Sequence, residues 1–292
     1  MQESLSLWIK GARPRTLPAA IAPVAVGTAC VSVEANATAN WSNAILALIV
    51  SLALQVAVNY ANDYSDGVRG TDDKRVGPLR LVGSGAKTAS AVKRAAFLSF
   101  GVAAIFGLIL ALLTSLWLLV VGVLCILAGW FYTGGKKPYG YFGLGEVFVF
   151  VFFGVVATTG TTFVIIEKLT ATSFTASLVV GALACALLAV NNLRDIDGDT
   201  LARKRTLAVR LGDKKARSFF VSLFVLALLA IFMLALSYPL ALLGLIGLSS
   251  AFASIKRVRS GAVGSELISV LSMTGRTQIL TAITLSIGLI LS

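Results

Sequence analysis

Histidine is absent from this sequence, and charged residues are scarce for a chain of 292 residues. The missing imidazoles exclude histidine general bases, histidine-ligated haem and most zinc sites. The three cysteines lie inside apolar segments at no metal-ligand spacing, so we interpret Cys30, Cys125 and Cys185 as packing residues. Charged residues make up 13% of the chain, against roughly 25% in soluble domains, and hydrophobic residues reach 57%. Water is therefore not the main solvent of this fold.

The sequence contains long runs of apolar residues. A hydrocarbon core about 30 Å thick needs about 20 apolar residues in each helix that crosses it. We predict an all-α membrane protein with about nine transmembrane helices in one bundle. No linker or low-complexity tract interrupts the runs, so residues 1–292 are predicted to form a single domain. The predicted spans are 16–33, 41–62, 95–113, 115–133, 144–166, 173–193, 218–236, 238–255 and 277–292.

The positive charges indicate how these spans are oriented. The net charge is +12, and with a cytoplasmic N-terminus the loops after even-numbered spans carry almost every lysine and arginine. Among the loops, only Lys168 falls on the opposite side. By the positive-inside rule, this bias predicts that the N-terminus is cytoplasmic. Binding of nucleic acid is not indicated, because no soluble domain or basic module with interleaved aromatics is present.

The acidic residues are concentrated in two polar loops, which follow the second and sixth predicted spans. Seven of the thirteen acids lie there, namely Asp63, Asp66, Asp72, Asp73, Asp195, Asp197 and Asp199. The two loop entrances resemble each other, since an asparagine precedes each pair of aspartates. On a helix, the spacings i, i+4, i+7 and i, i+3, i+7 place each trio on one face. The trios are Asn59, Asp63 and Asp66, and Asn192, Asp195 and Asp199.

Carboxylates at this spacing repel each other, and the repulsion grows near a low-dielectric boundary. The pattern therefore predicts that something positive is bound between them. Mg²⁺ fits, because it takes hard oxygen ligands and is usually held by one or two carboxylates together with substrate phosphates. Cations that match phosphate oxygens lie in the same loops. They are Arg69, Lys74, Arg75 and Arg80 in the first loop and Arg194, Arg203, Lys204 and Arg205 in the second.

A glycine- and tyrosine-rich turn, residues 132–141, lies between the two acidic loops. The glycines break a helix at the interface in one interpretation, with Tyr132 and Tyr139 as part of an aromatic belt. In the other interpretation, the tyrosines and Lys137 line a cavity, where an aromatic face stabilises a carbocation. Glu146 follows at membrane depth, where an ionisable group is a site candidate by default.

At these residues the sequence resembles the UbiA-type intramembrane prenyltransferases. The family signatures are Asn-Asp-x-x-Asp-x-x-x-Asp after helix 2 and Asp-x-x-x-Asp after helix 6. Asn62, Asp63 and Asp66 match the first signature, and Asp195 and Asp199 match the second. The third aspartate of the first signature falls on Gly70, and the nearest acids are Asp72 and Asp73. The resemblance extends over nearly the whole chain and includes the segments 11–18, 59–73, 132–154 and 191–212.

Within the family, the sequence looks most like the enzymes that act on 1,4-dihydroxy-2-naphthoate. The resemblance implies transfer of a polyprenyl group from polyprenyl diphosphate to this acceptor, with loss of diphosphate and CO₂ and with demethylmenaquinone as product. It also implies Mg²⁺ as cofactor, the lipid bilayer of a prokaryotic cytoplasmic membrane as the surroundings, and an active site at the cytoplasmic face.

The candidate site residues follow from the pattern and the resemblance together. The catalytic candidates are Asp63, Asp66, Asp195, Asp199 and Lys204, and the metal ligands are Asp63, Asp66, Asp72, Asp195 and Asp199. The substrate-binding candidates are Asn59, Asn62, Arg69, Asn192, Arg205, Tyr132, Lys137, Tyr139 and Glu146.

Two alternative functions remain open on the sequence. One is prenyl transfer to another aromatic acceptor, such as 4-hydroxybenzoate, homogentisate or a chlorophyllide. The other is membrane transport of an ion or solute, in which the aspartates form an ion pathway. Acids of transporters are expected near the bilayer midplane, whereas these acids lie at one membrane face beside lysine and arginine. The placement favours diphosphate chemistry.

Overall fold

A computed structural model describes residues 2–34, 37–71 and 79–292. Within these ranges the chain is helical and contains no strand, as predicted. The longer helices are α1 (Gln2–Ala12), α2 (Pro18–Cys30), α3 (Ser42–Val68), α4 (Ala89–Leu113), α5 (Trp117–Phe131), α7 (Ala157–Ile166), α8 (Ala171–Arg194), α10 (Leu207–Ala235), α12 (Ala251–Arg259) and α13 (Glu266–Ile290). The shorter ones are α6 (Gly145–Val149), α9 (Ile196–Leu201) and α11 (Gly244–Ser249), and a π-helix over Phe150–Val156 joins α6 to α7.

Helical structure occupies each of the nine predicted spans in the described residues. Five helices are long and apolar enough to cross a membrane, and two bent pairs of helices raise this number to seven. The pairs are Leu5–Thr16 with Pro18–Val33, bent by 53°, and Pro239–Ser249 with Ala251–Arg259, bent by 47°. Helix α5 is apolar but only 15 residues long. The chain is thus a multi-pass helical membrane protein, and the count of nine spans stays a prediction.

The helices begin where the local sequence provides a cap or a fixed backbone angle. Thr88 and Thr170 have extended backbones, and their hydroxyl oxygens accept from the amides of Ala91 and Ser173 at the starts of α4 and α8. Each hydroxyl satisfies one of the amides that lack an intrahelical acceptor. Pro18 opens α2, where its missing amide costs nothing.

Helix α8 lies at the centre of the bundle, where it packs against α2, α10, α13 and the π-helix. Small residues let the backbones approach closely. A Cβ added to Gly154 would lie 2.5 Å from the Cα of Gly181, so the π-helix and α8 touch through these two glycines. A larger side chain at either position would force the two elements apart.

Large apolar side chains on α4 and α5 face outward. Leu98, Leu112 and Trp117 are 73%, 69% and 77% exposed, which would be a severe liability in water. Lipid tails are the surroundings in which such a surface is stable. The outer surface therefore agrees with the membrane location that composition predicts.

Candidate active site

A cavity of about 800 Å³ lies inside the bundle, alongside α3. It follows α3 from Ala47 to Asp66, a length of roughly 28 Å at about 1.5 Å per helical residue. One end is polar and the other is apolar. The polar end is lined by Arg13, Asn59, Asn62, Asp66, Arg80, Asn192, Arg194, Asp195, Asp197, Asp199 and Lys204, and the apolar part by Val24, Ala47, Val50, Leu54, Leu110, Leu118, Val121, Phe148, Phe152, Val156 and Val164.

Asp66, near the end of α3, connects three segments of the chain. Its Oδ1 accepts from the Tyr141 hydroxyl at 2.8 Å and from the Lys204 ammonium at 2.9 Å. Its Oδ2 lies 3.9 Å from Nη2 of Arg80. Asp66 is only 4% exposed, and a buried carboxylate is stable only when cations and donors compensate its charge. The sequence-predicted acid and the sequence-predicted lysine are therefore in direct contact.

Lys204 reaches Asp66 because of the backbone that leads to it. Arg203 has a φ of 56°, and the amide of Lys204 donates to the carbonyl of Asp199 at 2.7 Å, which closes a tight turn after α9. The next amide, of Arg205, donates to the carbonyl of Tyr141 at 2.9 Å. The ammonium also lies 4.7 Å from the centre of the Tyr141 ring. The second acidic loop is thus fixed against the turn that carries Tyr141.

The second acidic set is divided between two helices, and this differs from the prediction of one helical face. Helix α8 ends at Asp195, whose φ of −97° and ψ of 6° are not helical, and α9 begins at the next residue. Arg194 grips the Asp195 carboxylate with two bonds of 2.7 and 2.8 Å. Asp199 on α9 accepts from the Thr206 hydroxyl at 3.3 Å. The break keeps Asn192, Asp195 and Asp199 on the cavity wall.

Asp63 does not share the cavity face of α3 in the described structure. It is fully buried, and its two carboxylate oxygens accept from the amides of Leu81 and Val82 at 2.8 and 3.0 Å. Asn59, Asn62 and Asp66 line the cavity, whereas Asp63, about 60° around α3 from Asp66, lies on the side that the segment after residue 78 covers. The predicted helical spacing is present in α3, but Asp63 is not among the cavity-lining residues and holds the segment after residue 78 against α3.

The two asparagines of the first loop entrance join the cavity wall to other segments. Asn59 donates from Nδ2 to the Ala12 carbonyl and to the Thr16 hydroxyl, both at 2.9 Å. Asn62 accepts from the Thr133 hydroxyl at 2.7 Å. They hold the N-terminal segment and the glycine-rich turn in place beside Asp66.

Aromatic rings form a continuous row along one cavity wall. Tyr139 stacks on Phe148 with 3.9 Å between ring centres, Phe148 stacks on Phe152 at 6.0 Å, and Tyr132 meets Tyr139 edge-on at 5.5 Å. Of the two interpretations of this turn, the structure supports the cavity-lining one for both tyrosines. Aromatic faces carry partial negative charge, so a cation passing this row is stabilised.

Burial changes the acidity of the phenol that contacts Asp66. Burial, and after it the charge and hydrogen bond of Asp66, raise the pKa of Tyr141 well above its usual range, against a smaller lowering by Arg69. The pKa of Tyr139 is raised in the same direction by burial. Tyr141 therefore remains a neutral donor to Asp66 beyond the pH at which a free phenol ionises.

Besides Asp63, four predicted site residues lie outside the cavity lining in the described residues. Arg69 is exposed and donates to the carbonyls of Thr133 and Gly135. Lys137 and Arg205 are exposed, and Glu146 is buried behind Asn192. The alternative metal ligands Asp72 and Asp73 lie outside the residues that the structure describes.

Other cavity residues are missing from the predicted set. Arg13 has a φ of 54° and points its guanidinium to the Asn59 carbonyl at 3.4 Å, and Thr16 and Gln55 complete the same hydrogen-bonded group. The sequence feature that could have identified Arg13 is the segment 11–18. This segment resembles the family, but it contains no acidic residue and was therefore not assigned to the site. Tyr141 stood in the predicted turn without a role, and Arg80 appeared only among the loop cations.

The acidic side chains at the polar end of the cavity are the candidate ligands of Mg²⁺. In the described ranges, no three aspartate, glutamate, cysteine or histidine side chains come close enough to hold a metal unaided. Mg²⁺ in phosphate-transfer sites usually takes only one or two carboxylates and completes its shell with water and substrate phosphates. Asp66 on one wall and Asp195, Asp197 and Asp199 on the other line the same cavity end. These oxygens fit a Mg²⁺ that arrives with a diphosphate.

Comparison with known proteins gives concordant results. A model of the UbiA prenyltransferase family matches residues 20–266. A 1,4-dihydroxy-2-naphthoate octaprenyltransferase of Mycobacterium tuberculosis is 49% identical over 280 residues, which cover 96% of this chain and 95% of that protein. The protein of the same name from Escherichia coli is 35% identical over 301 residues, covering 98% of this chain and 95% of the relative.

The fold of this chain resembles those of solved structures. A UbiA homologue from Archaeoglobus fulgidus, bound to GPP and Mg²⁺, has a TM-score of 0.70 at 13% identity, covering 98% of this chain and 99% of that chain. An apo UbiA homologue from Aeropyrum pernix has a TM-score of 0.68 at 16% identity, covering 94% and 97% of the two chains. At these identities the likeness concerns the fold alone.

Proposed function

This chain belongs to the UbiA prenyltransferase family, and we propose that it transfers a polyprenyl group from a polyprenyl diphosphate to 1,4-dihydroxy-2-naphthoate. Relatives with this activity in their names are 35–49% identical over nearly the whole chain. The observation that carries the assignment is a membrane cavity with Asp66, Asp195, Asp199 and Lys204 at one end and apolar side chains along the rest. A prenyl diphosphate likewise has a charged diphosphate head and an apolar prenyl chain.

The reaction balances without an oxidant or a covalent enzyme intermediate. The allylic C–O bond breaks and its electron pair leaves with the diphosphate. The naphthoate ring carbon that bears the carboxylate bonds to the allylic carbon. The bond to the carboxylate then breaks, CO₂ leaves, and the electron pair restores the aromatic ring. The immediate product is the prenylated hydroquinone, which gives demethylmenaquinone after oxidation.

Asp66, Asp195 and Asp199 are the residues that we propose to hold Mg²⁺. When bound, the metal neutralises the charge that develops on the leaving diphosphate. Lys204, already buried against Asp66, adds a compact cation at the same end of the cavity. Arg80, 3.9 Å from Asp66, offers a planar fork that suits phosphate oxygens. The polar end therefore binds the diphosphate and favours its departure.

The apolar part of the cavity is proposed to hold the prenyl chain. It extends from the acidic end to Ala47, so most of the chain can leave water before the reaction. The aromatic row from Tyr132 to Phe152 flanks the path between head and tail and is proposed to stabilise the allylic cation.

Placement of the acids distinguishes transfer from transport. Asp66 lies near the end of α3, and Asp195 and Asp199 lie beyond the regular part of α8. They accompany Lys204 and Arg80 at one end of the cavity and not at mid-helix positions. This arrangement favours diphosphate chemistry over an ion pathway. We further propose that this end faces the cytoplasm of a prokaryote, at its plasma membrane.

The proposed function is tested with membranes that contain the protein. The naphthoate, 4-hydroxybenzoate and homogentisate are each combined with polyprenyl diphosphates of several lengths, and products are identified by mass spectrometry. We expect prenylated naphthohydroquinone, with diphosphate and CO₂ released in equal amounts. Prenylation of 4-hydroxybenzoate or homogentisate in preference to the naphthoate would overturn the acceptor assignment.

A further inference from the structure

Glu146 is a buried acid beside the cavity that the proposed reaction does not use. It lies in the first turn of α6 and is 5% exposed. Its Oε1 accepts from Nδ2 of Asn192 at 2.9 Å, and its Oε2 is buried without a hydrogen-bond partner in the described residues. Cys185 donates to its backbone carbonyl at 3.1 Å. Burying a carboxyl group costs free energy unless hydrogen bonds compensate it. A carboxyl with one side-chain hydrogen bond therefore needs an explanation.

We propose that Glu146 is a positioning residue that orients the amide of Asn192, an inference that rests on the proposed function. Asn192 is 7% exposed and lines the cavity, one helical turn before Asp195. Because Glu146 holds the nitrogen of the amide, the oxygen Oδ1 is the end left for the cavity. Without Glu146, the amide could turn over and present a donor instead.

A cavity-facing amide oxygen suits an acceptor ring that carries hydroxyl groups. Asn192 lines the cavity one helical turn from Asp195, so a ring that meets the allylic carbon beside the proposed diphosphate site is within its reach. As the ring carbon bonds to the allylic carbon, positive charge spreads to the ring hydroxyl and makes its O–H a stronger donor. The Asn192 oxygen then stabilises this charge, and the bond to Glu146 polarises the amide in the favourable sense.

Two substitutions of Glu146 separate positioning from proton transfer. Glu146→Gln keeps an oxygen that accepts from Asn192, whereas Glu146→Leu has a similar volume and no acceptor. We expect kcat of the Gln variant within about threefold of wild type. In the Leu variant we expect kcat to fall and the KM for naphthoate to rise, together about tenfold or more in kcat/KM, with the KM for prenyl diphosphate unchanged.

The outcomes distinguish this inference from the proposed function itself. If the wild type does not prenylate the naphthoate, the proposed function fails. If the wild type is active and the Gln variant is as impaired as the Leu variant, Glu146 moves a proton and the positioning role is overturned. Should the Leu variant not fold, a kcat of the Gln variant more than about threefold below that of the wild type overturns the positioning role by itself.

A double-mutant cycle supplies the second test. In an Asn192→Ala background, Glu146→Leu and Glu146→Gln are expected to cause no further loss of kcat/KM. Further loss in this background, equal to that caused by Glu146→Leu in the wild type, would show that Glu146 does not act through Asn192.

A second inference concerns a groove on the outer surface, carried by different residues. About 280 Å³ in volume, it lies between the turn Pro14–Thr16, the start of α2 and α13. Its lining contains no acid, and the side chains of its two arginines have no hydrogen-bond or ion-pair partner in the described residues. Of its lining residues, Arg15, Ser272 and Arg276 are exposed, and Pro18, Ile279 and Leu280 are half-buried.

We propose that this groove binds an anionic phospholipid. Arg15 and Arg276 each stand immediately before a predicted span, 16–33 and 277–292, so the nine-span prediction places both at the same membrane boundary. Two exposed guanidiniums there match a phosphate, and Ile279 and Leu280 offer an apolar surface to an acyl chain. The two guanidiniums and the neighbouring apolar side chains together suit an anionic lipid.

The purified, delipidated protein allows a direct test. Phosphatidylglycerol or phosphatidylcholine is added in detergent, and thermal unfolding and lipid adducts in native mass spectrometry are measured. We expect phosphatidylglycerol to raise the unfolding midpoint of the wild type and of the control variant Arg259→Gln, an exposed arginine at the end of α12. In the Arg15→Gln/Arg276→Gln variant we expect more than half of this shift and the adduct to be lost. An equal shift in this variant, or an equal effect of phosphatidylcholine on the wild type, would overturn the inference.

Discussion

At the scale of single residues, Asp66 determines how the polar end of the cavity is organised. Two donors from separate segments, the Tyr141 hydroxyl and the Lys204 ammonium, meet its carboxylate, and the Arg80 guanidinium of a third segment forms an ion pair with it at 3.9 Å. A buried carboxylate without such partners would be strongly destabilising. The same contacts hold two cations where the diphosphate is proposed to bind, so Asp66 both organises the site and is a candidate metal ligand.

Lys204 and Arg205 are neighbours in sequence but differ in structure, which makes them a matched pair. Lys204 is buried against Asp66, and Arg205 is exposed. We expect Lys204→Ala to lower kcat by about tenfold or more and to raise the KM for prenyl diphosphate, because a charge-assisted contact to the leaving group is lost. Arg205→Ala is expected to leave both constants unchanged. The measurement is steady-state kinetics with prenyl diphosphate varied at fixed naphthoate. Equal kcat and KM values in the two variants would contradict the proposed role of Lys204.

Tyr141 makes a prediction about pH. Burial and the neighbouring Asp66 raise the pKa of its phenol, whose ordinary value is about 10. The proton is therefore retained up to and beyond that pH, and so is the hydrogen bond to Asp66. We expect Tyr141→Phe to lower kcat a few-fold while the alkaline limbs of the two pH profiles coincide up to about pH 10. A limb below pH 10 that the wild type shows and Tyr141→Phe lacks would contradict this account.

At the scale of elements, the sequence predicted which helices carry the site better than which faces do. Apolar run lengths located helical structure at every predicted span, because hydrophobic length is a local property. The periodicity argument was wrong where a helix ends, and it did not distinguish the side of α3 that faces the cavity from the side that packs against the segment after residue 78. Helix α8 stops at Asp195, and Asp63 lies one residue from the cavity-facing Asn62. In each loop, the spacing of asparagine and aspartate was compatible with an acid that faces the cavity and with one that does not.

Contacts between distant segments were beyond reach of the sequence. Lys204 meets Asp66 across 138 positions, through a turn that depends on the left-handed backbone of Arg203. Arg13 reaches the cavity because Asn59 holds the N-terminal segment 47 positions away. Neither contact leaves a periodic signal, since each depends on the packing of the whole bundle.

Asp63 is expected to behave differently from the cavity acids. It binds two amides of the segment after residue 78, so Asp63→Asn replaces one acceptor by a donor that faces Leu81 or Val82. We expect a destabilisation of about 1.5–3 kcal/mol, measured by denaturant or thermal unfolding in detergent. Asp199→Asn serves as the control and should unfold like the wild type. Equal stability of Asp63→Asn and the wild type would show that Asp63 does not hold this segment.

At the scale of the whole molecule, one cavity joins the two sequence signatures and extends through much of the bundle. Helix α3 brings Asp66 to one wall, and α8 with α9 brings Asp195 and Asp199 to the other. Small residues at the Gly154–Gly181 contact keep α8 close to the π-helix whose phenylalanines line the cavity. The bundle thus provides a polar head site and an apolar path for a chain.

The orientation of the bundle is tested by cysteine labelling. Charge bias places positions 74 and 204 on the cytoplasmic side and 168 on the opposite side. Because Lys204 is buried, the exposed Arg205 is the better site for the second loop. In a background without Cys30, Cys125 and Cys185, cysteines at 74 and 205 are expected to react from the cytoplasm and one at 168 from outside. Reaction of 74 and 205 from opposite faces would separate the two acidic loops and contradict a shared site.

The central claim is that acids from two loops hold Mg²⁺ and a prenyl diphosphate at one end of this cavity. The direct measurement is turnover of prenyl diphosphate and naphthoate against Mg²⁺ concentration for the wild type and for Asp66→Asn, Asp195→Asn and Asp199→Asn. Asp213→Asn, which alters an exposed ion pair with Arg217, is the control. We expect turnover to require Mg²⁺, to fall about 100-fold or more in the three variants and to persist in the control. Wild-type turnover at saturating Mg²⁺ in two of the three variants, or turnover of the wild type without a divalent metal, would contradict the two-loop site.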